Sequence, residues 1–124
     1  MNDLKERTKQ FGLRVIRLTQ TLANSREVDV LARQLLRSAT SVGANYRAAC
    51  RGRSAAEFQA KLWIVEEEAD EAASWIEMLT EAGFVKMGRV KALLAEANEL
   101  TAIAVSSIKT SRRNNSKAST PRAR

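Results

Sequence analysis

The chain has 124 residues, 44% of them hydrophobic, with 21 Lys and Arg against 14 Asp and Glu and no histidine. That is one domain's worth of chain, and its single cysteine, Cys50, excludes an internal disulfide and suits a reducing cytoplasm. No apolar run approaches the roughly 20 residues of a membrane span, and the opening MNDLKERTKQ lacks the basic-then-apolar layout of a secretory signal.

Leu4, Thr8, Phe11, Val15, Leu18 and Leu22 alternate steps of four and three, which predicts an amphipathic first helix with one polar interruption. The stretch ANSRE breaks it, with Asn24 or Ser25 as the cap of the next helix. There Val28, Leu31, Leu35, Ser38, Val42, Asn45 and Ala49 keep heptad spacing straight through LLRSATSVGANYRAA, a segment rich in poor helix formers. The phase argues for helix all the same. Ser38 and Gly43 then let neighbouring helices approach, and Asn45 falls on the seam, where a polar group needs a partner and can fix register.

RGRS at 51–54 is a second break, and Ser54 followed by Glu57 reads as a capping box. Phe58, Leu62, Val65, Ala69, Ala72, Ile76 and Leu79 predict a third helix that Gly83 stops. Val90, Leu94, Ala97, Thr101, Ala104 and Ile108 predict the fourth, with Leu93, Leu100 and Ile103 widening its apolar face. No strand pattern is present. The fold class is therefore all-α, an up-and-down antiparallel four-helix bundle over residues 1–110, followed by a basic disordered tail at 111–124.

Charge is polarised along this plan. Residues 1–53 carry eleven basic side chains against four acidic ones, and 54–108 carry four against ten. Residues 109–124 add six basic residues and no acid. The body is nearly neutral, so the overall excess does not by itself imply a basic fold.

Catalytic chemistry finds little support. Without histidine the commonest general base and nitrogen ligand are missing, and a di-metal bundle site would want Glu-x-x-His pairs. No phosphate-binding glycine loop or Ser/His/Asp set can be assembled. Cys50, with no histidine or CxxC partner, reads as an inert thiol. The sequence thus predicts no catalytic residue, no metal and no cofactor. Glu68 and Glu71 lie in a semi-apolar row of the third helix, where an unpaired carboxylate is costly. They are expected to pair with second-helix arginines, Arg37 first and Arg33 or Arg47 next. Trp63, and the second apolar row of Ile64, Trp75 and Met78, either pack inside a wide bundle face or form a subunit interface.

QLLRSATSVGANYRAA followed by EFQAKLWIVEEEADEAASWIEML resembles the bacterial four-helix-bundle proteins first noticed as products of reading frames inside intervening sequences of 23S ribosomal RNA genes. The likeness runs from about Phe11 to Ile108. It is specific at Leu36-Arg37-Ser38, Ser41-Val42, Asn45, Phe58, Lys61-Leu62, Glu68-Ala69, Glu71 and Trp75. Arg47-Ala48-Ala49-Cys50 stands where many relatives have an acidic residue and a glycine, as in a subgroup. The resemblance implies an antiparallel bundle, a cytosolic location and assembly into a homopentamer, and no established activity. A related group, the accessory proteins of diversity-generating retroelements, has a similar pentameric bundle that binds a reverse transcriptase and nucleic acid; that kinship is of fold, which does not settle function.

Candidate phosphate contacts are Arg14, Arg17, Arg47, Arg51, Arg53, Arg112, Arg113 and Lys117, and a ring would multiply each patch. No RNA-binding aromatic signature or recognition-helix motif is present, so binding would not depend on base sequence. The expected function is a non-enzymatic homo-oligomeric scaffold that binds RNA, DNA or a nucleic-acid-processing protein and no membrane. The alternative is a purely protein-binding oligomer.

Overall fold

A computed structural model describes residues 3–119, with side chains as far as residue 116. Four helices follow one another, α1 (Asp3–Gln20), α2 (Arg26–Cys50), α3 (Ala55–Glu81) and α4 (Met87–Ser119), with no strand among the described residues.

Their ends are set locally. The Ser25 hydroxyl accepts the Val28 N–H at 3.0 Å, and Ser54 accepts that of Glu57 at 3.1 Å, each satisfying a donor the helix itself cannot. The Glu57 carboxylate answers at the Arg53 N–H, 3.2 Å away and one residue before the position a standard box would use. α3 ends at Gly83, whose φ of 84° lies in the left-handed region; the Phe84 N–H then reaches back to the Leu79 carbonyl at 2.9 Å.

Cross-helix contacts give the topology. Gly12 of α1 lies against Ala39 and Thr40 of α2, while Gly43 lies against Thr8 and Lys9, so these helices are antiparallel. Ser41 bonds Glu68 across α2 and α3, Gln59 bonds Ser111 across α3 and α4, and Arg7 bonds Glu96 across α1 and α4. Each helix thus packs on the next, and α4 returns to α1 through a lighter contact. Phe11, Leu35, Leu62, Ile76, Leu79 and Leu100 are fully buried at the centre.

The predicted seams hold for α1 and α3 and shift in the other two helices. In α2, Ala39 and Tyr46 join the core while Leu31 and Asn45 stand at its margin, because this helix packs on both α1 and α3 and needs a wide face. In α4, Leu93 and Leu100 are core and Leu94 and Thr101 are half-buried. Ser38 is fully buried with its hydroxyl donating to the Gln34 and Leu35 carbonyls, both at 3.1 Å, so the polar group is satisfied within its own helix.

α4 also continues past Lys109, where apolar periodicity runs out, to Ser119. No Gly or Pro interrupts the chain between Gly88 and Pro121. The added turns are tied back by the Gln59–Ser111 bond at 3.0 Å and by Arg112, whose guanidinium stands 5.8 Å from the centre of the Trp63 ring. Of the segment expected to be a disordered tail, residues 111–119 are therefore helical and 120–124 lie outside the described residues.

Candidate functional site

A polar network crosses from α2 to α3. Arg37 donates to both Glu68 oxygens, at 3.1 and 3.2 Å, and to Glu71. Ser41 donates to Glu68 at 3.3 Å, and Asn45 donates to the Ser41 hydroxyl and carbonyl at 2.8 and 2.9 Å. On the far side the Trp75 indole N–H donates to Glu71 at 2.9 Å. That indole bond and the Arg37 guanidinium hold the Glu71 carboxyl below its ordinary value against the opposing effect of burial.

The predicted pairing of Glu68 and Glu71 with Arg37 is therefore present. Arg33 bonds Asp29 one turn back on its own helix at 2.6 Å, and Arg47 lies on the side of α2 that faces α1, so neither joins the network. Asn45 donates to Ser41 on its own helix and acts on α3 through that serine. The network saturates its carboxylates with donors, which suits it to fixing two helices. Among the described residues no group of three or more Cys, Asp or Glu is arranged to hold a metal.

The basic residues gather elsewhere. The pairings above place the start of α1, the 51–54 connection, the start of α3 and the extended end of α4 at one end of the bundle. Exposed there are Lys5, Arg47, Arg51, Arg53, Lys61, Lys109, Arg112 and Arg113. Among the described residues the carboxylates at this end are those of Asp3, Glu6 and Glu57, the last engaged at its cap. Five of the eight candidate phosphate contacts, Arg47, Arg51, Arg53, Arg112 and Arg113, are thus brought together. Arg14 and Arg17 are not; they lie toward the other end, in the seam between α1 and α4 with Thr21 and Arg89. The Lys117 side chain lies outside the described residues. Lys5 and Lys61 were missed because each sits alone between acidic or apolar neighbours in sequence, and only helix pairing puts them beside the arginines.

An open groove of about 690 Å³ runs between α1 and α2 from this end. Leu13, Ile16, Gly12, Gly43 and Ala44 form its floor, and Lys5, Lys9 and Arg47 line its rims together with Glu6. The three candidate interface residues do not make one patch. Trp63 is 44% exposed and turned toward α4, Met78 is 49% exposed nearer the other end, and Trp75 is half-buried in the α2 network. No described helix is long and apolar enough to cross a membrane.

The sequence profile of the 23S rRNA-intervening sequence protein family matches residues 2–106. The chain belongs to this family. A crystal structure of a protein of unknown function from the S23 ribosomal protein family of Bacteroides thetaiotaomicron superposes with a TM-score of 0.80 at 32% identity. The match covers 86% of this chain and 98% of that one. No curated protein matches. Within this 23S rRNA-intervening sequence protein, six of the residues that carry the likeness in sequence, Arg37, Ser41, Asn45, Glu68, Glu71 and Trp75, are the members of the polar network. They form the bracket between α2 and α3, and of the basic end Lys61 alone is among the residues that carry the likeness.

Proposed function

We propose that this chain is a non-enzymatic, cytoplasmic scaffold that associates with copies of itself, as the pentamer its family resemblance implies, and binds nucleic acid through the basic end of each bundle. One observation carries the reading: Arg47, Arg51, Arg53, Arg112 and Arg113 converge from two helices and a connection onto one end with few acids to neutralise them. Such a surface attracts phosphate by charge and counterion release and does not discriminate bases. Repetition around an assembly raises its avidity without any new contact.

Fluorescence anisotropy with labelled RNA and DNA of arbitrary sequence tests this on the full chain. Binding at low salt is expected to fall steeply by moderate salt, with a logarithmic slope of about −0.9 per duplex phosphate neutralised. Arg51→Glu with Arg53→Glu is expected to weaken it strongly, and Arg17→Glu to weaken it little. Absence of binding at low salt leaves a protein-binding oligomer as the function.

A further inference from the structure

Two surfaces adjoin the basic end and lie outside the polar network. One is the groove between α1 and α2, with half-buried Leu13 and Ile16 in its floor and the ammonium groups of Lys5 and Lys9 on its α1 rim. The other is the outer face of α3, where the exposed carboxylates of Glu67 and Asp70 follow the exposed Trp63. The first is cationic around an apolar floor. The second is acidic at Glu67 and Asp70, and Trp63 flanks it on the α4 side beneath the Arg112 guanidinium.

Their heights along the bundle agree. The backbone of Thr8 and Lys9 faces Gly43, and two residues along α2 Ser41 bonds Glu68 of α3. Stepping back along antiparallel helices, Lys9 and Glu67 come to the same height to within about one residue's rise, ~1.5 Å. Gly12 faces Ala39 and Thr40, which sets Asp70 level with Gly12 and Leu13, and Trp63 falls level with Lys5 and Arg47. α1 and α3 run in the same direction. A second copy turned about an axis parallel to the bundle, without sliding along it, therefore sets its acidic face opposite this groove with Lys9 against Glu67.

We propose that the α1–α2 groove is the seat of the outer face of α3 of a second copy of this chain. The two surfaces differ, so the contact is head-to-tail, and repetition closes a ring or continues as a filament. The opposite charges of residues 1–53 and 54–108 are its trace in the sequence. The proposal rests on the self-association reading and adds to it the two surfaces and their register.

Light scattering on the full chain, for the wild type, Lys9→Glu, Glu67→Lys and the double reversal, tests it. All three variants change exposed positions, and circular dichroism checks that they remain helical. Lys9→Gln and Glu67→Gln replace any reversal that lowers the helical signal. Each single change is expected to weaken association by about tenfold or more at low salt, and the double reversal to restore it. A wild-type particle of 13.7 kDa overturns self-association and this contact with it. A wild-type multimer that neither single change weakens, or that the double reversal does not restore, overturns the groove contact alone.

Discussion

Arg7 of α1 grips Glu96 of α4 with two bonds, 2.8 Å from Nε and 2.9 Å from Nη2, and the same guanidinium reaches Glu99 at 2.7 Å. This fork closes the bundle between α1 and α4, the most lightly packed of its neighbouring helix pairs. The Glu96 side chain is only 14% exposed, so removing its partner strands a largely desolvated carboxylate. Arg7→Met, which keeps the apolar stem, is expected to cost about 1–3 kcal/mol of stability. Glu99→Gln, at a 60% exposed side chain, is expected to cost less than about 1 kcal/mol. Urea midpoints measured side by side check the ranking.

The same fork makes stability depend on pH in acid. Arg7 holds the Glu96 carboxyl below its ordinary value of 4.5, and the Trp75 N–H and Arg37 do the same for Glu71. A carboxyl depressed in the folded state leaves the unfolded chain with more bound protons across that interval. Its stabilisation is complete above the unfolded value and drains away as pH falls below 4.5. Urea midpoints are expected to be flat, as far as these two groups go, above pH about 5.5 and to fall below it. The fall should be shallower in Arg7→Met and in Trp75→Phe, since each removes one of the depressing partners.

Much of this was legible in the sequence, and for a definite reason. Phe58 to Leu79 repeats without interruption, and α3 follows it because the second apolar row of Ile64, Trp75 and Met78 is broken by Glu68 and Glu71 and cannot compete for the core. The Arg37 pairing followed from the cost of leaving Glu68 and Glu71 unpartnered in a half-apolar row. The seam of α4 was misplaced by one residue at Leu93 and Leu100 because its apolar face is wide enough to admit two phases. The last turns of α4 carry no apolar period at all; contacts from Gln59 and Trp63, more than 45 positions earlier in the chain, hold them. The basic end was half-visible, since arginines far apart in sequence become neighbours only once the helix pairing is known.

Gly12 and Gly43 lie near the same crossing of α1 and α2 and are expected to respond oppositely to alanine. A Cβ at Gly43 would come 3.3 Å from the Thr8 carbonyl oxygen and 3.4 Å from the Lys9 nitrogen, backbone atoms of a packed helix that cannot swing aside. At Gly12 the nearest atom is 3.6 Å away, an ordinary contact. Alanine is worth about 1 kcal/mol over glycine within a helix. Gly12→Ala is expected to gain most of that, while Gly43→Ala forces the helices apart and loses it. Gly43→Leu overpacks the crossing and is expected to cost about 1–3 kcal/mol or more. Thermal or urea unfolding reads the difference in sign.

Arg112 over Trp63, with the Gln59–Ser111 bond, ties the end of α4 to α3. The arginine is exposed and Trp63 is 44% exposed, so the interaction is worth about 0.5–1 kcal/mol, enough to bias turns that have no apolar face of their own. Arg112→Ala is expected to fray α4 beyond Ser111 while leaving the bundle's urea midpoint nearly unchanged, because among the described residues no core side chain lies past Ile108. Arg112→Lys keeps the charge but loses the flat guanidinium face, and is expected to fray it partly. Amide hydrogen exchange separates these outcomes: residues 112–116 should lose protection in Arg112→Ala and in Trp63→Ala alike. Unchanged protection in both variants would mean that the Gln59–Ser111 bond alone holds the extension, and Gln59→Ala should then release it.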